Sequence, residues 1–208
     1  PTGFRDLDEK ILGMHKQGNA SFIPNNLHMA AMHRLDAIKP NIYVGVCTPP
    51  DKHGYVSLST GNTYERRMID AADLVILEMN KNFPRTFGDV ELHVSKVDWL
   101  IDADYDVPAL PNIETSEKDE KIGQLIASQI DDGDNIQVGI GGIPNAVIKA
   151  LYGKKDLGIH TEMLTSEVAR LAKAGVITGD RKSLHRGKMV TTFIMGDQEL
   201  YDFCDENP

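Results

Sequence analysis

The chain has 208 residues, of which 41% are hydrophobic and 25% charged, and its formal net charge is −9. A chain of this kind can bury a core in one or two domains, and its acidic balance argues against nucleic acid as a bulk partner. No run of about 18 apolar residues predicts a membrane span. Cys47 and Cys204 lack the spacing of a disulfide or metal framework, so we predict no metal site and a reducing, cytoplasmic location.

The first half of the sequence predicts alternating helices and strands. Helical spacing of apolar residues favours helices over 6–17, 27–38 and 62–72. Nearly continuous apolar runs predict strands, buried on both faces, at 42–47 and 74–79. This alternation is typical of a doubly wound or mixed α/β sheet.

A change of composition predicts a linker between two domains. Residues 105–118 contain acids, two prolines and small polar residues. We therefore expect the remainder of one domain in 1–104 and the start of a second in 119–208. Ser116, with Asp119 three positions later, approximates a capping box and predicts a helix directly after the linker.

A glycine-rich turn stands at the centre of the second half. Gly139, Gly141 and Gly142 follow a short β-prone run at 135–138, and Pro144 fits the first turn of a helix. Free N–H groups at such a helix start suit a phosphate, a carboxylate or a developing oxyanion. An ordinary strand-to-helix turn is the alternative, because the sequence lacks the full dinucleotide fingerprint and any GxxxxGK[ST] match.

An acidic residue follows the next predicted strand. Residues 157–161 read as that strand and place Glu162 at its carboxyl end, where ligands of open α/β sheets bind. A solvated strand end is the alternative. His160 lies two residues earlier and shares the face of Glu162, as a tuning group or as a packed histidine. Asn82 and Arg85 suit either a substrate carboxylate or the shaping of their own loop.

Basic residues are concentrated around this region. From Lys149 to Lys188 there are nine Lys or Arg and four Asp or Glu, a local balance of +5. Such a region attracts a polyanionic small ligand. The alternative is that these are solvated residues of helices and loops.

The same segments carry a family resemblance. GIGGIPNAV at 139–147, with KKDLGIHTEM at 154–163, resembles the acetyl-CoA hydrolase/transferase family, and most closely its 4-hydroxybutyrate CoA-transferase branch. The segments SFIPNNLHMAAMHRL, PPDKHGYVSL and NKNFPRTFGD extend the likeness to 21–35, 49–58 and 80–89. Members of the family are about twice as long, so a partial chain is expected, without the later glycine-rich segments that complete the site.

The resemblance implies a fold and a site. It implies two open α/β domains of the CoA-transferase type, with 1–104 in the N-terminal domain and 119–208 beginning the catalytic one. It implies coenzyme A as a substrate, with no permanently bound cofactor, and Glu162 as the nucleophile. The CoA or oxyanion loop corresponds to Gly139, Ile140, Gly141, Gly142, Ile143, Pro144 and Asn145.

These implications predict a CoA-transferase. The enzyme would move CoA between a short-chain acyl-CoA and an acid such as 4-hydroxybutyrate, butyrate or acetate, through a glutamyl-CoA thioester. A hydrolase using the same glutamate and a non-catalytic acyl-CoA-binding module are the alternatives. The expected partners are these small molecules and possible further copies of the chain, with neither nucleic acid nor membrane.

Overall fold

The computed structural model describes residues 3–21, 24, 26–110 and 113–208. The α-helices in these ranges are α1 Gly3–Lys16, α2 Ala30–Ala37, α3 Glu65–Ala71, α4 Glu117–Ala127, α5 Gly142–Ala150, α6 Ser166–Lys173 and α7 Gln198–Cys204. The strands are β1 Ile42–Cys47, β2 Tyr55–Ser57, β3 Leu74–Asn80, β4 Glu91–His93, β5 Trp99–Ala103, β6 Asn135–Ile136, β7 Gly158–Leu164 and β8 Val190–Ile194. No helix among the described residues is long and apolar enough to cross a membrane.

The first half is built on a parallel sheet with the strand order β1-β3-β5, beside an antiparallel pair, β2 and β4. Its core is a cluster of buried apolar side chains that includes Cys47, Val56, Leu77 and Leu92. The predicted α/β class is confirmed by this arrangement of parallel strands and helices.

The prediction that β1 is buried on both faces is wrong. Ile42 is 58% exposed and Val44 is 64% exposed, whereas Cys47 is fully buried. Val44 pairs with Ile76, and Ile76 with Trp99, so these side chains form one row on the outward face. In the part of the chain that is described, the core covers only the other face of this sheet.

The second half contains a parallel sheet with the order β6-β7-β8. The capping box of Ser116 and Asp119 is present at the start of α4, as predicted. Helices α4 and α5 pack closely, because a Cβ added at Gly123 would lie 2.6 Å from the carbonyl carbon of Ala146. The core beneath them includes Ile148 and Ile159.

Two strand ends differ from the prediction. The pairing of β6 with β7 ends at Ile136 and not at Val138. Strand β7 continues two residues beyond Glu162, because Met163 and Leu164 still pair with β8. Glu162 therefore lies within the last part of a strand rather than after its end.

The two halves meet at β8. Gly61 forms an antiparallel bridge with Phe193, the N–H of Ile194 donates to the carbonyl of Thr60 at 2.7 Å, and that of Asn62 donates to Thr192 at 2.9 Å. The predicted linker carries no helix or strand in 105–110 or 113–116, and its residues 111 and 112 lie outside the described part. The domain boundaries at 104 and 119 stay a prediction.

Candidate active site

The glycine loop connects β6 to α5. Gly141 has φ 123° and ψ −174°, a conformation that only glycine adopts readily. The first helical hydrogen bond runs from the N–H of Asn145 to the carbonyl of Gly141 at 3.2 Å, and Pro144 lies in the first turn as predicted. Among the described residues, the N–H groups of Gly142 and Ile143 have no acceptor. They are the open donors of the positive helix end.

One side of this helix start is already occupied by an acid of the protein. A Cβ added at Gly142 would lie 2.7 Å from Oδ2 of Asp119. The same oxygen accepts hydrogen bonds from the N–H and the hydroxyl of Ser116, and these bonds lower the pKa of Asp119. A ligand anion must therefore approach the loop from the side away from α4.

Glu162 lies on the exposed face of β7 together with His160, as the alternation of the strand predicts. Within residues 3–21, 24, 26–110 and 113–208, no hydrogen bond or ion pair involves the Glu162 carboxylate. Its backbone carbonyl accepts from the hydroxyl of Thr191 at 3.0 Å. The ring of His160 lies 6.4 Å from the ring of His185, so both histidines border the same face.

A threonine joins the glycine loop to the strand that carries Glu162. The Thr161 hydroxyl accepts from the N–H of Val138 at 3.1 Å and donates to the carbonyl of Val138 at 3.0 Å. This contact keeps the register of the sheet, because Ile136 pairs with Ile159 two residues earlier. Beyond this contact the glycine loop begins at Gly139 and the strand continues with Glu162.

The glycine loop also borders a crevice, and Glu162 does not. The crevice is small, is open to solvent and is lined in part by Ile140, Gly141, Asn145 and Met163. Met163 is buried, whereas Glu162 points to the opposite face of β7. The two predicted parts of the site therefore do not share this crevice.

The loop around Arg85 is held by internal contacts. The guanidinium of Arg85 donates to the carbonyls of Pro49 and Tyr55. Asn82 donates to the Asp104 carboxylate at 2.9 Å and to the carbonyl of Tyr105 at 3.0 Å. Of the two roles that the sequence left open, the structure supports the shaping of the loop.

Several cations of the basic region serve the fold. Arg170 and Lys173 form ion pairs with neighbouring carboxylates, and Arg181 donates to the carbonyl of Asp132. Lys182 is only 7% exposed and donates to the carbonyls of Ile159 and Lys188, and burial lowers its pKa. In the described part of the chain the remaining cations have no ion pair: Lys149, Lys154, Lys155, Arg186 and Lys188. Within the described residues, these five are the cations of the basic region that neither pair with a carboxylate nor donate to a carbonyl.

Sequence reasoning missed Thr161 and Lys182. A signal for Thr161 was present, because alternation places it on the buried face of β7 between two outward polar residues. A buried hydroxyl there needs a partner. Lys182 carried no comparable signal, since it lies in an irregular polar segment.

Comparison with known proteins decides the family. The acetyl-CoA hydrolase/transferase N-terminal domain matches residues 6–111, half of the chain. The chain belongs to the acetyl-CoA hydrolase/transferase family. It is 46% identical over 159 residues to the 4-hydroxybutyrate coenzyme A transferase of Clostridium kluyveri, an alignment that covers 76% of this chain and 37% of that protein.

Other members show the same pattern of partial coverage. The succinyl-CoA:cyclohexane-1-carboxylate CoA transferase of Geobacter metallireducens is 38% identical over 193 residues, covering 93% of this chain and 44% of that protein. The crystal structure of 4-hydroxybutyrate CoA-transferase from Porphyromonas gingivalis superposes with a TM-score of 0.86 at 37% identity, covering 95% of this chain and 51% of that one. The chain thus spans less than half the length of these two relatives and about half of the solved structure.

Proposed function

We propose that this chain carries the nucleophile of a CoA-transferase that moves CoA between a short-chain acyl-CoA and a carboxylic acid. The supporting observation is the Glu162 carboxylate, exposed on β7 and without an internal partner in the described part of the chain. It follows Thr161, whose hydroxyl contacts Val138, the residue before the glycine loop. The names of the family members support the reaction class. The acyl group, the cytoplasmic location and the oligomeric state stay predictions.

The first half of the reaction is an acyl exchange on Glu162. A carboxylate oxygen of Glu162 attacks the thioester carbonyl, and the C–S bond breaks. CoA departs as a thiolate, and the acyl group stays on Glu162 as a mixed anhydride. The thiolate then attacks the glutamyl carbonyl of the anhydride. That step releases the first acid as its carboxylate and leaves CoA bound to Glu162 as a thioester.

The second half reverses these steps with another acid. Its carboxylate attacks the glutamyl-CoA carbonyl and forms a new anhydride, and the released thiolate attacks the new acyl carbonyl. Glu162 is regenerated as a carboxylate. One thioester is exchanged for another, so no water is consumed.

The glycine loop supplies donors for the charge that develops. Each attack forms a tetrahedral oxyanion, and N–H groups without a protein acceptor, such as those of Gly142 and Ile143, suit such a charge. A well-placed donor of this kind contributes about 3 kcal/mol to catalysis. Gly139 to Asn145 is accordingly the proposed loop for CoA or the oxyanion.

Substitution of the proposed nucleophile in the complete protein tests this function. We expect Glu162→Ala and Glu162→Gln to abolish transfer from acetyl-CoA to butyrate, and Glu162→Asp to fall at least about hundredfold, because a shorter arm misplaces the attacking oxygen. Glu117→Gln, an exposed acid at the start of α4, is the matched control and should keep its rate.

A second measurement locates the intermediate. After incubation with acetyl-CoA, the wild type should gain the mass of CoA less one water on Glu162, and hydroxylamine should remove the CoA. Undiminished transfer by Glu162→Gln, or an adduct on another residue, would refute the proposal. Release of free CoA thiol without an acceptor acid would assign the site to hydrolysis, and absence of any adduct would favour a binding module.

A further inference from the structure

Thr161 occupies an unusual place between two proposed parts of the site. It precedes Glu162 on β7, but its side chain points to the opposite, buried face and is 4% exposed. There its hydroxyl contacts both polar backbone groups of Val138, the residue before the glycine loop. One side chain thus connects the loop to the strand that carries the nucleophile.

The contact replaces the ordinary pairing of two strands. Strands β6 and β7 pair by backbone through Ile136 and Ile159, and two steps further in the same register Val138 would lie opposite Thr161. At that point a hydroxyl, which can donate and accept at once, satisfies both backbone groups of Val138. The chain can therefore leave the regular strand pairing at Val138 while its position relative to β7 stays fixed.

This fixed point lies next to the proposed reaction. Val138 is followed directly by Gly139, and Thr161 directly by Glu162. Because Val138 is itself buried at 7% exposure, its backbone groups have little access to water as a substitute partner. A loop that lost the contact would have to move to satisfy them, and its amides would move relative to the Glu162 carboxylate.

We propose that Thr161 is a positioning residue, which holds the amides of the glycine loop at the distance from Glu162 that the acyl transfer requires. The inference rests on the proposed function of Glu162. It concerns the placement of the loop, not a contact of Thr161 with substrate.

Three substitutions in the complete protein separate positioning from folding. Thr161→Val keeps the shape and removes the hydroxyl, Thr161→Ser keeps the hydroxyl, and Thr161→Cys offers only a weak donor and acceptor. The measured quantity is the single-turnover rate of CoA-adduct formation from acetyl-CoA, divided by the amount of Glu162 that is labelled at completion. Division by the labelled amount corrects for misfolded molecules, which a purely structural defect would produce and which form no adduct.

We expect Thr161→Val to slow adduct formation about hundredfold per labelled site, with kcat falling more than KM rises. Thr161→Ser should stay within a few-fold of the wild type, and Thr161→Cys should lie between the two. If Thr161→Val does not fold, the order of wild type, Thr161→Ser and Thr161→Cys carries the same test.

The opposite results overturn the inference and are distinct from a failure of the proposed function. If the normalised rate of Thr161→Val stays within about twofold of the wild type, Thr161 only stabilises the fold. Where Thr161→Val does not fold, the same result for Thr161→Cys leads to that conclusion. Equal losses in Thr161→Ser and Thr161→Val would show that the hydroxyl is not the relevant group. If the wild type itself forms no adduct on Glu162, the proposed function has failed before Thr161 is tested.

Discussion

The second half contains a carboxylate without an internal partner in the described ranges and three that share one charged partner. Glu167, Asp197 and Glu199 all form ion pairs with Arg170, so each has a charged partner. Glu162 lies five residues before Glu167, and its carboxylate has no partner in the described ranges. The ion pairs of Asp197 and Glu199 with Arg170 connect α7 to α6, whereas the Glu162 carboxylate makes no such connection in the described ranges.

This difference separates a structural acid from a candidate nucleophile. A carboxylate held by a guanidinium must give up strong hydrogen bonds before it can attack a carbonyl. An exposed carboxylate without an internal partner gives up only hydrogen bonds to solvent. The residue type alone does not separate the two kinds of carboxylate at this end of the sheet. The presence or absence of internal partners in the described ranges does.

The largest expected effect outside Glu162 and Thr161 comes from the glycine loop. Gly141→Ala would place a side chain at φ 123°, which strains the backbone by about 1–3 kcal/mol. Because the strained residue is the N-cap of α5, the amides that follow it should shift, and kcat should fall about tenfold to hundredfold. Steady-state kinetics of the complete enzyme measure this.

A second glycine provides the matched control. Gly175 also has a positive φ of 78° and no atom within 4 Å of an added Cβ, but it lies after α6 and away from the loop. Gly175→Ala should lower the melting temperature and keep kcat. Equal losses of kcat in both variants would show that backbone strain anywhere in this half impairs catalysis. The glycine loop would then not differ from the rest of this half.

Arg85 extends the comparison to the first half. If its contacts with the carbonyls of Pro49 and Tyr55 are its role, Arg85→Ala should lower the free energy of unfolding by about 2 kcal/mol. The KM of the acceptor acid should not change. Lys81→Ala, which removes an ion pair between side chains about two-thirds exposed, should cost no more than about 0.5 kcal/mol. A rise in KM without loss of stability would assign Arg85 to the substrate instead.

Much of the fold follows from local sequence signals. Strand β1 has the predicted bounds, and the capping box at Ser116 marks the start of α4 as expected. The exposure of Ile42 and Val44 could not be predicted, because a nearly continuous apolar sequence is compatible with a strand that is covered on one face or on both. Whether a face of a strand is covered depends on which helices and strands pack against the sheet, and a local sequence pattern does not contain that information.

The candidate site divides in the same way. The sequence indicated the glycine loop, Pro144 in the first helical turn and the outward face of Glu162, because each depends on local backbone periodicity. The bond between Thr161 and Val138 joins residues 23 positions apart, and local patterns do not specify such a pairing. The internal partners of Arg85 were hidden for the same reason.

The smallest expected effect concerns the pH dependence of the ion-pair group. Burial acts to raise the pKa of Asp197, but hydrogen bonds from Ser166 and Leu200 and the charge of Arg170 outweigh it and lower the pKa. A lowered folded-state pKa means that the carboxylate stabilises the fold above its unfolded value of 3.8, and that this stabilisation is lost as the pH falls through the folded-state pKa.

Asp197→Asn should therefore destabilise the protein by about 1–2 kcal/mol near pH 7, and the difference from the wild type should shrink below about pH 4. Urea unfolding of both proteins across this pH range measures the difference. Asp180→Asn removes an exposed carboxylate that accepts no hydrogen bond among the described residues, so it should show no such dependence. If Asp197→Asn were equally destabilising at all pH values, the loss would come from the α7 cap geometry rather than from charge. The contrast with Glu162, which has no partner in the described ranges, would then rest on the ion pairs of Arg170 with Glu167 and Glu199.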